Sequence, residues 1–358
     1  MGTTHHGRNR PRHTRLATAV IVVFGLVGGV AQAAPSLTRR ARVAVGYVAA
    51  QQQDDGSFPG FSPLGSTADA VIGFVAARRG ATEIEGALDY LESNVAEADT
   101  VGEKAKLILA AVAGGRDPRD FGGRDLVQEL LDAEGPDGQY SAATPDDPFD
   151  GEVTDQTLAI LALAAAPDAN PSSNSLTWLA RAQCADGGWQ HTGPQAENEN
   201  GHCFTGDGDS DYFRSDTNTT SLAVQAIAAH PQASAPLERD PLAFFRKIRD
   251  PRKGGWGYTW NLRLTDANST ALAIQAFAAR GARLPDGAMK ALVGLQYRLC
   301  GRRAGAFAFT YEQREGGGLK KTAPDVGATI GAVPGLLKRP LPVAPFDVTE
   351  PAPTATAC

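Results

Sequence analysis

Two stretches of the chain put the same polar pair in the same place. "SDTNTTSLAVQAIAA" (215–229) returns without a gap as "TDANSTALAIQAFAA" (265–279), with nine of fifteen positions identical. Each copy carries an Asp (Asp216, Asp266) and, two residues on, an Asn (Asn218, Asn268), just ahead of an Ala-rich apolar run. An Asp at a helix start accepts hydrogen bonds from the free backbone N–H groups of the first turn, so capping alone accounts for the carboxylates. It does not account for the amides. Within the first turn Ala would serve helix stability better than Asn. An amide kept in both copies points to a tie onto a neighbouring helix or to a ligand contact, and both remain open. Asp155 ("VTDQT"), Asp325 ("APDVGAT") and Asp69 ("STADA") are expected to cap helices of the same kind.

Aromatic side chains stand near these starts. Tyr258 and Trp260 lie in "GGWGYTWNLRLTDAN", Tyr212 and Phe213 precede Asp216, and Phe309 and Tyr311 lie near the end of the chain. Apolar walls with a few convergent polar groups describe a small-molecule pocket. The candidate ligand-binding set is therefore Asp155, Asp216, Asn218, Asp266, Asn268, Asp325, Tyr258, Trp260, Tyr212 and Tyr311. No Gly-x-Ser-x-Gly elbow or phosphate-binding loop is present. His191, His202 and Cys203 share one loop, but their spacing matches no tetrahedral metal site. The acidic "TGDGDSD" nearby reads as a solvated polar loop. No catalytic residue, metal or cofactor is expected.

The elements that must position these groups recur along the chain. A junction of Gln or an acid, three residues, Gly, one residue and an aromatic is best formed at "QCADGGW" (Gln183 to Trp189). It recurs at "QQDDGSF", "EGPDGQY" and "DPRKGGW", and more loosely from Gln296 to Phe307. Each junction joins two helical patterns. Those before it, near 38–53, 84–96, 124–133, 173–184, 239–249 and 285–299, mix charge with an apolar stripe, as surface helices do. Those after it, near 66–78, 101–114, 154–166, 217–229, 266–279 and 323–336, are small and apolar on most faces, so they should be buried. Period-2 alternation is almost absent. Six buried helices, each with a wetter partner, predict an all-α, single-domain (α/α)6 toroid over residues 34–340. The inner helices should all start at one mouth.

These junctions and helix pairs resemble the repeats of squalene and hopene cyclases and of protein prenyltransferase β subunits. They are also similar to the toroids of extracellular cobalamin carriers. The resemblance implies that each junction aromatic packs and each junction Gln ties its loop to a helix end. It also bears on chemistry. The cyclase acid motif, Asp-x-Asp-Asp-Thr, aligns with Asp216–Thr220 and Asp266–Thr270, and its proton-donating middle Asp is Asn218 or Asn268 here. A carboxamide cannot protonate an alkene, and the helix dipole should hold the remaining capping Asp as a carboxylate. The Asp, Cys and later His that bind zinc in prenyltransferases have no counterpart, since no His follows Cys300. The resemblance implies a corrinoid or an isoprenoid as ligand.

Residues 1–33 read as a secretory signal: four Arg precede an uncharged run from Leu16 to Val30 and the triplet Ala31-Gln32-Ala33. The formal net charge is −6 with scattered acids, which argues against nucleic acid or an anionic membrane surface as partner. In an oxidising compartment Cys184, Cys203, Cys300 and Cys358 allow three pairings. Cys184 with Cys203 and Cys300 with Cys358 is the favoured set. Residues 341–358, rich in Pro and Thr, are expected to be a tail without a core. The leading expectation is a secreted, non-catalytic small-molecule binder. The alternatives are an isoprenoid-acting enzyme using another acid, Asp155 or Asp325, and a cell-surface interaction module.

Overall fold

The computed structural model describes residues 1–2, 35–141, 152–194, 203, 214–230, 237–259, 261–355 and 358. Most of the expected signal, together with Tyr212, Phe213, Trp260, His202 and the "TGDGDSD" loop, lies outside them. The chain divides into a short unit, Met1–Ala34, and a larger one, Pro35–Cys358, which holds every helix named below.

The Ala- and Leu-rich runs form six inner helices: α2 (Pro63–Ala77), α4 (Val101–Gly114), α6 (Val153–Ala165), α8 (Thr217–Ala229), α10 (Ala267–Ala279) and α12 (Val326–Leu337). The amphipathic runs form six outer ones: α1 (Leu37–Ala49), α3 (Ala81–Ser93), α5 (Leu126–Asp132), α7 (Ser173–Arg181), α9 (Pro241–Ile248) and α11 (Ala288–Leu295). Helices α2, α4, α6, α8, α10 and α12 pack side by side in that order, and α12 returns to α2. The ring is closed. Its inner helices run parallel where side-chain contacts cross between them, residues at similar depth meeting: Asp69 with Lys106, Gly102 with Asp155, and Thr154 with Thr219. Three short antiparallel rungs supplement the helices: Trp189–Gln190 with Ser215–Asp216, Phe307–Ala308 with Pro324–Asp325, and Tyr311–Gln313 with Leu319–Lys321.

The junctions hold the hairpins together. Gln183 Nε2 donates to Gly187 O in its own turn at 2.9 Å and to Arg239 O, ahead of the next outer helix, at 3.1 Å. Gln52 bridges Gly56 O and Glu83 O in the same way. Gln296 donates to Gly305 O and to Arg40 O on α1, so the device that joins neighbours also joins the last repeat to the first. Trp189 and Trp256 are buried, each indole N–H donating 2.8 Å to a carbonyl of the preceding outer helix. Their backbone N–H groups donate to Thr220 and Thr270 Oγ1 at 2.9 and 3.0 Å. Phe58 and Phe307 use Thr67 and Thr329 likewise, and Tyr140 uses Gln156 Oε1. The Thr shared by the duplicated segments is thus a splice between junction and inner helix.

The segment after α12 departs from the expected tail. It crosses the ring at the end where the inner helices finish. Gln275 Nε2 donates to Arg339 O at 2.9 Å, and Leu341 N–H donates to Gln225 Oε1 at 2.8 Å. Further on, Val343 is buried, Arg78 stands over the Phe346 ring, and Glu350 O accepts from Gly80 and Ala81 N–H. The segment needs no core of its own because it borrows the ring's. Disulfides join Cys184 to Cys203 and Cys300 to Cys358, so the last residue is fastened beside the α11–α12 junction.

Candidate functional site

A cavity of about 240 Å³ lies along the inside of the ring between α2, α8, α10 and α12. Its mouth end is polar, with Ser66, Asp69, Asn218 and Asn268. Deeper, Ile72, Leu272, Ile330, Pro334 and Leu341 supply apolar wall beside the polar Gln275, and Leu341 comes from the segment that crosses the ring. Glycines spaced by four on α12 let neighbouring groups approach closely. A Cβ at Gly331 would stand 2.8 Å from Asn268 Oδ1, and one at Gly335 would stand 2.6 Å from the Ala271 Cβ on α10.

Asn218 and Asn268 occupy equivalent positions on adjacent helices. Each Oδ1 is buried and has no hydrogen-bond partner among the described residues. Such a buried acceptor costs about 1–3 kcal/mol. The tie to a neighbouring helix, one of the two readings of the duplicated amide, is not made.

The aspartates are placed differently. Asp216 and Asp266 cap α8 and α10, their Oδ1 atoms accepting from Thr219 and Ser269 N–H at 2.8 and 2.7 Å. Both are buried, and neither lines the cavity. Burial pushes the Asp216 carboxyl up to about 6 and Asp266 to about 7, against the backbone donors that pull them down. The direction is the reverse of the one expected from the helix dipole, because desolvation outweighs it at these two caps. Asp325 caps α12 through Ala328 N–H and is exposed. Asp155 lies in the first turn of α6 rather than at its cap, which is Glu152, and its carboxylate rests against Gly102 of α4. Asp69 is likewise no cap. Ser62 caps α2, and Asp69, inside that helix, pairs with Lys106 Nζ at 2.9 Å.

Among the described residues, the aromatics Tyr258, Phe309 and Tyr311 do not line the cavity. Tyr258 offers its carbonyl to Thr217 N–H, and Tyr311 sits on a short strand with Lys253 Nζ 4.4 Å from its ring centre. Of the ten expected residues, the cavity is lined by Asn218 and Asn268 alone, with Tyr212 and Trp260 outside the described residues. Sequence reasoning misses Ile72, Leu272, Ile330 and Leu341. For Ile330, the Gly327, Gly331 and Gly335 spacing is a usable signal that one face of α12 meets something closely.

A second polar group joins α6 to α8. His191 Nε2 contacts the Glu152 carboxylate, and Nδ1 lies 2.7 Å from Thr154 Oγ1. Thr154 Oγ1 is 3.2 Å from Thr219 Oγ1, beside Asp216. Burial disfavours the imidazolium, yet the Glu152 hydrogen bond and charge, with Asp216 and Asp155 behind, raise the His191 pKa above its ordinary value. Both ring nitrogens are engaged and Cys203 is oxidised, so neither residue is free to hold a metal in their shared loop.

No family model and no curated protein sequence matches the chain. Solved structures do. The GH76A α-1,6-mannanase of Salegentibacter sp. HEL1_6 superposes with a TM-score of 0.56 at 12% identity, covering 85% of this chain and 98% of that one. The type II terpene cyclase MstE from Scytonema gives 0.54 at 16%, covering 84% and 98%. A protein from Actinoplanes gives 0.54 at 16%, covering 85% and 99%. At these identities the likeness shows the α/α toroid fold, and the chain shares it.

Proposed function

We propose that this toroid binds a compact small molecule, non-covalently, in its axial cavity, with the carboxamides of Asn218 and Asn268 as the recognition groups. One observation carries the reading. The same amide is placed twice, on adjacent parallel helices, with its oxygen buried and untied at the polar end of a cavity. Both residues line the cavity, so a ligand seated there meets two equivalent carboxamide side chains.

The volume narrows the ligand. About 240 Å³ falls below the 300–1,000 Å³ typical of drug-sized sites. A corrin macrocycle is larger than this space, so the ligand proposed is smaller than the corrinoid that the cobalamin carriers suggested. Neighbours of the same fold bind small molecules: α-1,6-mannotriose in the mannanase and geranylgeranyl dihydroxybenzoate in the terpene cyclase. Two disulfides accord with an oxidising compartment, and export is part of the proposal.

Thermal-shift screening of a metabolite panel against wild type and the Asn218→Leu, Asn268→Leu double variant tests the reading. Hits confined to wild type support it. A panel without hits, or hits that persist in the double variant, count against it. The rival reading is an enzyme, and it draws on Asp216, buried with Oδ2 unpartnered and its pKa raised to about 6, a group able to hold a proton near neutrality. Turnover of squalene-type or prenyl diphosphate substrates, lost in Asp216→Asn, would establish that rival.

A further inference from the structure

Charge is not spread evenly around the ring. Residues 246–321, from the end of α9 through α10 and α11 to the hairpin ahead of α12, hold fifteen Lys and Arg against five Asp and Glu. Two of those acids, Asp250 and Asp266, are buried. Residues 54–137, from ahead of α2 to just past α5, hold seventeen acids against seven bases. In the packing order of the six inner helices α4 and α10 are three places apart, so the two balances face each other across the ring. The net charge of −6 conceals a basic flank.

On the mouth rim this flank gathers into a row. The hairpin of Tyr311–Gln313 and Leu319–Lys321 lies against the end of α11, where a Cβ at Gly294 would stand 3.0 Å from Tyr311 Oη. Lys253 Nζ, in the α9–α10 junction, is 4.4 Å from the Tyr311 ring centre. Lys321 Nζ, on the hairpin, and the Arg303 guanidinium, in the next junction, lie 4.5 and 5.8 Å from the Tyr297 ring centre. Arg298, Arg302, Arg303 and Lys320 are exposed. Of these six cations only Lys320 pairs with an acid, Glu312, among the described residues. Glu315, at the hairpin turn, and Asp325, at the start of α12, are the other acids in this stretch. The two tyrosines hold the chain's own cations in place, so they offer charge rather than an open face on which a base could stack.

We infer that this rim is a docking surface for a linear acidic polysaccharide, carboxylated or sulfated, that lies along the row of cations. A row of cations without acid partners suits repeated anions rather than a single one. The acidic flank opposite repels such a polymer and keeps it to one side of the ring. Release of the polymer's counterions supplies the affinity, so binding is set by salt. The surface lies outside the axial cavity and does not depend on what fills it.

Fluorescence anisotropy of labelled dextran sulfate with the full chain tests this, with polygalacturonate as the carboxylated probe and neutral dextran as the control. Six charge contacts at roughly 0.7 counterions each give a log–log salt slope of about −4, so affinity should fall about 300-fold from 50 to 200 mM NaCl. Arg298→Gln, Arg302→Gln and Arg303→Gln together should flatten the slope to about −2, a fall of roughly 20-fold. Arg79→Gln with Arg181→Gln, elsewhere on the chain, should leave the slope unchanged. The Asn218→Leu, Asn268→Leu variant should bind both polymers as wild type does, which reads this surface separately from the cavity. An unchanged slope in the triple variant, dextran bound as well as dextran sulfate, or neither acidic polymer bound at 50 mM NaCl would overturn the inference. So would an oligothymidylate of equal charge that binds more tightly than either polysaccharide, which would make the partner a nucleic acid. Salt-sensitive self-association in light scattering that neither polymer displaces would overturn it too, in favour of a second copy of this chain.

Discussion

Replacing Asn268 by Ala separates a structural amide from a ligand-facing one. A tied amide would give up hydrogen bonds on substitution and cost about 1–3 kcal/mol. Asn268 Oδ1 accepts no such bond and is buried against Gly331 on α12. Removing it relieves an unpaired acceptor and gains about 0.6 kcal/mol of helix propensity in the first turn of α10. The shorter side chain packs less tightly, which opposes these gains only weakly, because one side of the residue faces the cavity. The expected outcome is a stability unchanged or raised by about 1 kcal/mol, a rise in Tm of roughly 2 °C for a domain of this size. Ligand binding should weaken at the same time. Urea denaturation, with ligand affinity measured on the same samples, reads both quantities. A loss of more than about 1 kcal/mol would refute the reasoning, since it would mean that the amide holds the ring together.

Thr270→Val, two residues away, should behave in the opposite way. It strands the buried Trp256 N–H and should cost about 2 kcal/mol in the same denaturation assay, with Thr220→Val matching it through Trp189. Stability should fall as pH rises from 5 to 8. Asp266 and Asp216, raised to about 7 and about 6, and His191, also raised, all bind a proton more tightly folded than unfolded, so each contributes stability at low pH that is lost as pH climbs through its folded pKa. Asp266→Asn keeps a good cap and removes the buried charge, so its Tm should exceed wild type at pH 8 and its pH slope should be shallower; parallel slopes would contradict the burial effect. Cys358→Ser opens a closure of 58 residues and should cost about 4 kcal/mol, against about 3 kcal/mol for Cys203→Ser with 19, both read by thermal unfolding under oxidising conditions.

The ring was legible because each inner helix announces its burial in its own letters. "TSLAVQAIAA" has no polar face broad enough for solvent, whereas "NSLTWLARAQ" has one. The junctions were legible for the same local reason, a Gly-containing turn before an aromatic, and the duplicated segment exposed the equivalence of α8 and α10. What the cap does with its carboxylate was harder to read. Oδ1 of Asp216 and Asp266 turns back onto its own helix, three residues on, which withdraws it from the cavity while Asn218 and Asn268 remain there. Leu341 was hidden differently. Its segment is rich in Pro and poor in core-forming residues, and it is ordered by two glutamines, Gln225 and Gln275, that lie far away in sequence inside otherwise apolar helices.

The most direct measurement is native mass spectrometry of the protein isolated from its producing cells or medium without denaturant, beside the Asn218→Leu, Asn268→Leu double variant prepared identically. The account predicts a stoichiometric small-molecule adduct on the wild type that is missing from the variant. An adduct retained by the variant, or a wild-type protein that carries none and takes up none from its own culture extract, would contradict it.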